Sequence, residues 1–208
     1  MSIGTIAVLD NTRCLRKAYM TPRLIKVLVE AHVYVVTLST REDVRAFIQS
    51  PPTDLFGIIL SGGPLCISDH IGVELYSSNI QLMLHFPTVP VMGICFGFQV
   101  MGVVYGGVIG RTPHEVNGLK QICVVEVGVL CEGGYEGHVY ANHCDHLVEP
   151  PPQFKVTMRG PDDSVEGIEM QGGACRVGVQ FHPEGQESTV FMIENFVRHC
   201  VGKCVMIN

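Results

Sequence analysis

Three short segments of this sequence hold residue types that can act together as nucleophile, base and oxyanion donor. In Gly93-Ile94-Cys95-Phe96-Gly97 a cysteine stands between two glycines, where a buried strand is expected to turn sharply into a helix. Such an elbow needs small residues on both sides, because the nucleophile takes a strained turn conformation and neighbouring backbones approach closely. At a helix N-terminus the unpaired amides favour an anion and raise the thiolate fraction near neutral pH. Free cysteine is also among the most buried residue types. For the other eight cysteines, at 14, 66, 123, 131, 144, 175, 200 and 204, simple packing is the better reading.

A thiolate nucleophile needs an acid and base, and an imidazole oriented by a carboxylate supplies both. Phe181-His182-Pro183-Glu184 follows a core strand expected over 175–181. In extended chain alternate residues point the same way, so Glu184 reaches the His182 ring. A lone His-Pro-Glu is weak, but Cys95 also stands at the carboxyl end of a strand, where open α/β sheets place their sites. Ser61-Gly62-Gly63-Pro64 follows a third strand, and a glycine pair there can turn an amide toward an oxyanion. Taken alone, Gly-Gly-Pro is a common turn.

The elements that must position these groups alternate in the first half between β-branched runs and helical patterns, as in parallel βαβ units. Strands are expected over 5–9, 33–38, 55–60 and 89–94. Helices are expected from a Thr21-Pro22 start, from Thr40 through 49 with Asp43 as capping-box partner, over 71–86, and over 96–105. After about Gly107 come strands over 121–127, 139–142, 154–159, 165–170 and 175–181, separated by Gly and Pro, then a helix over 188–201. The expectation is one α/β domain over residues 1–208, its central, mostly parallel open sheet flanked by helices and extended by antiparallel strands in the C-terminal half.

Composition agrees with a single packed domain. The 208 residues are 47% hydrophobic and 16% charged, with mean hydropathy +0.29, which excludes a disordered chain. A formal net charge of -6 with no basic stripe argues against nucleic-acid binding. Met1-Ser2-Ile3-Gly4 carries no signal-peptide pattern, so a cytoplasmic location is expected. The odd set of nine cysteines, without repeated short spacing, reads as reduced thiols. Residues 89–110 are uncharged and long enough to span a bilayer, but six glycines, Pro90 and Gln99 interrupt them, and a strand–turn–helix explains the run without a membrane. His143, Cys144, Asp145 and His146 are spaced poorly for a closed zinc site, so no metal is expected.

Taken together, Ser61-Gly62-Gly63-Pro64, Gly93-Ile94-Cys95-Phe96-Gly97-Phe98-Gln99 and Gly178-Val179-Gln180-Phe181-His182-Pro183-Glu184 resemble, in order, the marks of the class I (triad-type) glutamine amidotransferases, whose fold is flavodoxin-like. The resemblance implies a Cys95, His182 and Glu184 triad, an oxyanion hole from the Gly63 and Phe96 amides, and glutamine held by Gly62, Gln99, His143 and Asp145. It implies hydrolysis of L-glutamine to glutamate and ammonia through a γ-glutamyl thioester, without metal or organic cofactor. The ammonia would pass to an ATP-dependent synthetase partner. Asn142-His143-Cys144-Asp145-His146 resembles the Ser-His-Gly-Asp stretch of GMP synthetase amidotransferases, with Asn142 in place of serine and Cys144 in place of glycine. Ending at Asn208, the chain would be the separate glutaminase subunit for XMP amination. Two other readings keep the same fold: a free-standing γ-glutamyl or amide hydrolase, and a catalytically silent regulatory subunit.

Overall fold

The computed structural model describes residues 3–12, 20–69, 74 and 76–205. Five strands run parallel: β1 (Thr5–Leu9), β2 (Tyr34–Leu38), β3 (Leu55–Leu60), β4 (Val91–Ile94) and β9 (Arg176–Val179). Their order, β2-β1-β3-β4-β9, is the doubly wound 2-1-3-4-5 pattern of flavodoxin-like sheets. The sheet then continues antiparallel through β8 (Val165–Met170), β7 (Phe154–Arg159), β5 (Val108–Val124) and β6 (Glu136–Glu149), making nine strands in one sheet.

Strand alternation divides the core in two. Ile6, Val8, Ile59, Met92, Ile94, Val177 and Val179 face one side, packed with helices α1 (Met20–Glu30) and α5 (Phe191–Val205) through Leu24, Leu28, Ile193 and Phe196. Ala7, Leu9, Ile58, Leu60 and Val91 face the other, under α2 (Arg41–Gln49), α3 (Ser77–His85) and α4 (Phe96–Val104). Because both faces are covered, β3 and β4 read as continuous apolar runs and β1 nearly so. The uncharged stretch 89–110 divides among β4, α4 and the start of β5, and among the described residues no helix is long and apolar enough to cross a membrane.

Several boundaries match the sequence reading. β1, β3, β7 and β8 have the expected bounds. Thr40 caps α2 with a full capping box, its side chain accepting from the Asp43 amide and Asp43 accepting in return. Other elements differ. Thr21 lies inside α1 rather than capping it, and its hydroxyl donates to Asp10 Oδ1 at 3.0 Å. α3 begins at Ser77, and of the earlier part of the expected helix, residues 71–73 and 75 lie outside the described residues. β5 covers 108–124 instead of 121–127, and β6 extends well beyond 139–142. All of β5 except Ile122 is half-buried or exposed, so it lacks the apolar alternation that announces a strand.

At the base of β9 stands a buried cation. Arg176 is 2% exposed. Its guanidinium donates to the carbonyls of Val89, Cys175, Met83, Phe86 and Pro87 at 2.7–3.5 Å, and to the Tyr105 hydroxyl at 3.1 Å. Met83 and Phe86 lie at the end of α3, so the charge also meets the negative end of a helix dipole. Arg176→Met strips these carbonyls of their donor within the core. The expected loss is about 3 kcal/mol or more, read in urea as a lower unfolding midpoint at unchanged slope.

Candidate active site

The turn from β4 into α4 forces Cys95 to φ 49°, ψ −103°, a region that costs a non-glycine residue about 1–3 kcal/mol. The surrounding packing holds it there. A Cβ on Gly97 would lie 2.2 Å from the Leu60 carbonyl oxygen, and one on Gly93 would lie 2.7 Å from the Phe98 amide. With glycine at both positions, α4 closes directly onto β3 and β4. The Cys95 amide donates to Val179 O at 2.9 Å, and its carbonyl accepts from Gln99 N at 3.0 Å. The thiol is buried and lies 3.6 Å from Asn142 O.

Two amides, that of Gly63, which lines the same pocket as Cys95, and that of Phe96, the next residue after Cys95, donate to no acceptor among the described residues. Phe96 opens α4, where the first amides lack intrahelical partners. The Gly63 loop is fixed from β1: Asn11 donates from its side chain to Ser61 O at 2.8 Å and from its backbone to Ser61 Oγ at 3.0 Å. Nothing in the sequence singled out Asn11, one of a run of polar residues after a strand.

His182 lies beyond the end of β9, and its amide donates to Tyr140 O on β6 at 2.8 Å. The expected extended His-Pro-Glu is corrected here. Pro183–Gly185 forms a 3₁₀ turn, with Pro at its first position as its fixed φ favours. The turn still delivers the carboxylate, with Nδ1 of His182 and Oε1 of Glu184 2.9 Å apart. Thr189 Oγ1 donates to Pro183 O, and Arg23 donates to Gly185 O, bracing the turn from two helical segments. Gly62 leaves room for the ring, since a Cβ there would lie 2.5 Å from His182 Cε1. Burial alone would lower the affinity of this imidazole for a proton, but the Glu184 charge and the Cys95 sulfur outweigh it and hold the His182 pKa well above its usual value.

These groups open into a pocket of about 370 Å³, a size suited to a small ligand. Cys95, His182, Gly62, Gly63, Gln99, His143 and Asp145 all line it, while Glu184 sits buried behind the imidazole. Two expected substrate contacts are already engaged in part. Gln99 Nε2 donates to Asp145 O at 2.8 Å and to Gln180 Oε1 at 3.3 Å. The Asp145 carboxylate accepts from both the amide and the hydroxyl of Ser68. Gln180, whose amide nitrogen lies 4.0 Å from Cys95 Sγ, was not singled out from sequence.

A family model described as "Glutamine amidotransferase class-I" matches residues 15–200. A glutamine-hydrolyzing GMP synthase subunit from Saccharolobus solfataricus is 32% identical over 146 residues, covering 69% of this chain and 76% of that one. The glutamine-hydrolyzing GMP synthase from Aeropyrum pernix is 35% identical over 129 residues, and the match spans 62% of this chain but only 24% of that protein. Among solved structures, one assigned to a GMP synthase subunit from Thermoplasma acidophilum superposes with TM-score 0.81 at 23% identity, over 97% of this chain and 96% of that one. A glutamine amidotransferase structure from Thermotoga maritima gives TM-score 0.71 at 18% identity, over 99% and 87%.

His143 carries a pH signature of its own. Neither ring nitrogen has a hydrogen-bond partner among the described residues. Burial, then the nearby Lys120 charge, pushes its pKa from 6.5 down to about 4. Between those values the unfolded chain binds a proton that the folded chain refuses, so stability falls as pH falls. Urea unfolding at pH 7 and pH 5 should show about 2 kcal/mol of acid destabilisation from this group; His143→Asn should lack that share.

Proposed function

Since this chain belongs to the class I glutamine amidotransferase family, we propose that it hydrolyses L-glutamine to glutamate and ammonia through a Cys95, His182 and Glu184 triad in a single glutaminase domain. The observation that carries the reading is the meeting of a strained, buried thiol with a carboxylate-bound imidazole at one pocket that Gly63 also lines. Cys95 Sγ attacks the side-chain amide carbon of glutamine. The resulting oxyanion accepts from the Gly63 and Phe96 amides, each such donor contributing about 3 kcal/mol to the transition state. With Nδ1 committed to Glu184, Nε2 of His182 is the atom that protonates the departing nitrogen. Ammonia leaves, and a γ-glutamyl thioester remains on Cys95. His182 then takes a proton from water, which attacks the thioester and releases glutamate.

Gly62, Gln99, His143 and Asp145 are proposed to hold the glutamine, since all four line the pocket. The ammonia goes to an ATP-dependent synthetase partner that aminates XMP. The similarity to the Saccharolobus solfataricus GMP synthase subunit supports that partner.

Ammonia and glutamate release from L-glutamine, measured with and without a GMP-forming synthetase from the same source, tests both parts. Release that rises with the synthetase is the expected outcome; release indifferent to it would remove the assigned partner. Cys95→Ala should lower release by about 10⁴-fold or more at unchanged fold, and Glu184→Gln by about one to two orders of magnitude less than that. Comparable turnover in Cys95→Ala would overturn the mechanism.

A further inference from the structure

Two further thiols line the same pocket, on chain segments that hydrogen-bond to each other. Cys66 lies three residues after Gly63 in the loop leaving β3, and Cys144 lies on β6 beside His143. Independent contacts hold the segments together. The Ser68 amide donates to Asp145 Oδ2 at 2.8 Å, and its hydroxyl donates to Oδ1. Arg111 on β5 forms an ion pair with Asp69, and Thr112 Oγ1 donates to Cys144 O at 2.8 Å. Both thiols are free and only half-buried, so a small oxidant reaches them. They also interact: burial first, then the charges of Asp145 and Cys144, push Cys66 up to about 11.

We propose that Cys66 and Cys144 are an oxidation-responsive pair whose disulfide straps the loop leaving β3 to β6 and closes the pocket over Cys95. As a control on glutamine hydrolysis the pair rests on the function proposed above; as a thiol pair it does not. A bridge requires Cα atoms within about 7 Å, and Ser68, two residues after Cys66, is hydrogen-bonded at 2.8 Å to Asp145, the neighbour of Cys144. Hydrogen peroxide converts the Cys144 thiol to a sulfenic acid, with loss of water, because the raised pKa of Cys66 keeps that thiol protonated and slow toward peroxide. The other thiol then attacks the sulfenyl sulfur, the S–S bond forms as S–O breaks, and a second water leaves. The two thiols lose two electrons and two hydrogens, and the peroxide O–O bond takes them up. Pulling Cys66 toward β6 moves the Gly63 amide with it and sets the bridging sulfurs at the entrance to Cys95.

The test uses the full chain, reduced and then treated with hydrogen peroxide. Peptide mapping by mass spectrometry should find a Cys66–Cys144 linked pair. Alkylation of Cys95 by iodoacetamide should slow about ten- to a hundredfold, ammonia release should fall with it, and dithiothreitol should restore both. In Cys66→Ser and Cys144→Ser the linked peptide should vanish, and mild oxidant should no longer slow Cys95 alkylation. Linkage through Cys95 instead, or a Cys66–Cys144 bridge that leaves Cys95 alkylation at its reduced rate, would overturn the proposal. If the reduced chain releases no ammonia yet the bridge forms and shields Cys95, the thiol pair stands and the glutaminase reading fails.

Discussion

The positive φ of Cys95 is the constraint from which the rest of the site follows. A chain leaving β4 has to reverse sharply to start α4, and it does so only if the helix comes within backbone contact of the sheet. Gly93 and Gly97 permit that approach, and Gly178 adds to it, since a Cβ there would meet Phe98 at 2.9 Å. The strain at one residue is offset by α4 packing on β3, β4 and β9. In return, the first amide of α4 is left unpaired beside a sulfur that cannot turn away.

The second organising force is electrostatic, and β9 carries both of its poles. Arg176 opens the strand with a positive charge distributed over main-chain carbonyls; His182 lies just beyond its other end with a carboxylate at 2.9 Å. A buried charge is tolerable only when its hydrogen-bonding capacity is met. Arg176 meets that condition through six acceptors. Glu184 meets it by half, through Oε1 to His182, while Oε2 has no partner among the described residues. The structural cation is therefore fully anchored, whereas the carboxylate is held by the imidazole it orients.

What was legible in the sequence follows from these forces. Strands buried on both faces, such as 55–60, announce themselves as apolar runs, and the Thr40–Asp43 capping box is a local pattern with a local cause. Cys95 was readable because its glycines are required by close approach. The turn that delivers Glu184 was not, since two residues of spacing fit an extended chain and a 3₁₀ turn alike. Asn11, Gln180 and the Ser68–Asp145 latch depend on residues 50 or more positions apart meeting in space, and nothing local in the sequence marks them. The first part of β5, before Gln121, was missed because a half-exposed strand interrupted by Pro113 and glycines lacks the alternation that a buried face imposes.

β6 crosses the carboxyl edge of the parallel strands like a bar laid over their ends. Val139 and Ala141 sit in one core, Leu147 in the other, and Tyr140 and Asn142 to Asp145 line the pocket. Its neighbour is not so regular: between the pairings Arg111↔Asp145 and Val116↔His143, β5 advances five residues where β6 advances two. Length variation can thus be absorbed in β5 by enlarging or shrinking that bulge. In β6 a single insertion or deletion would turn every following side chain to the opposite face, exposing His143 and Asp145 or displacing the carbonyls beside Cys95 and His182. Over time, relatives of this chain should vary freely in the length of one strand of the hairpin and hardly at all in the other.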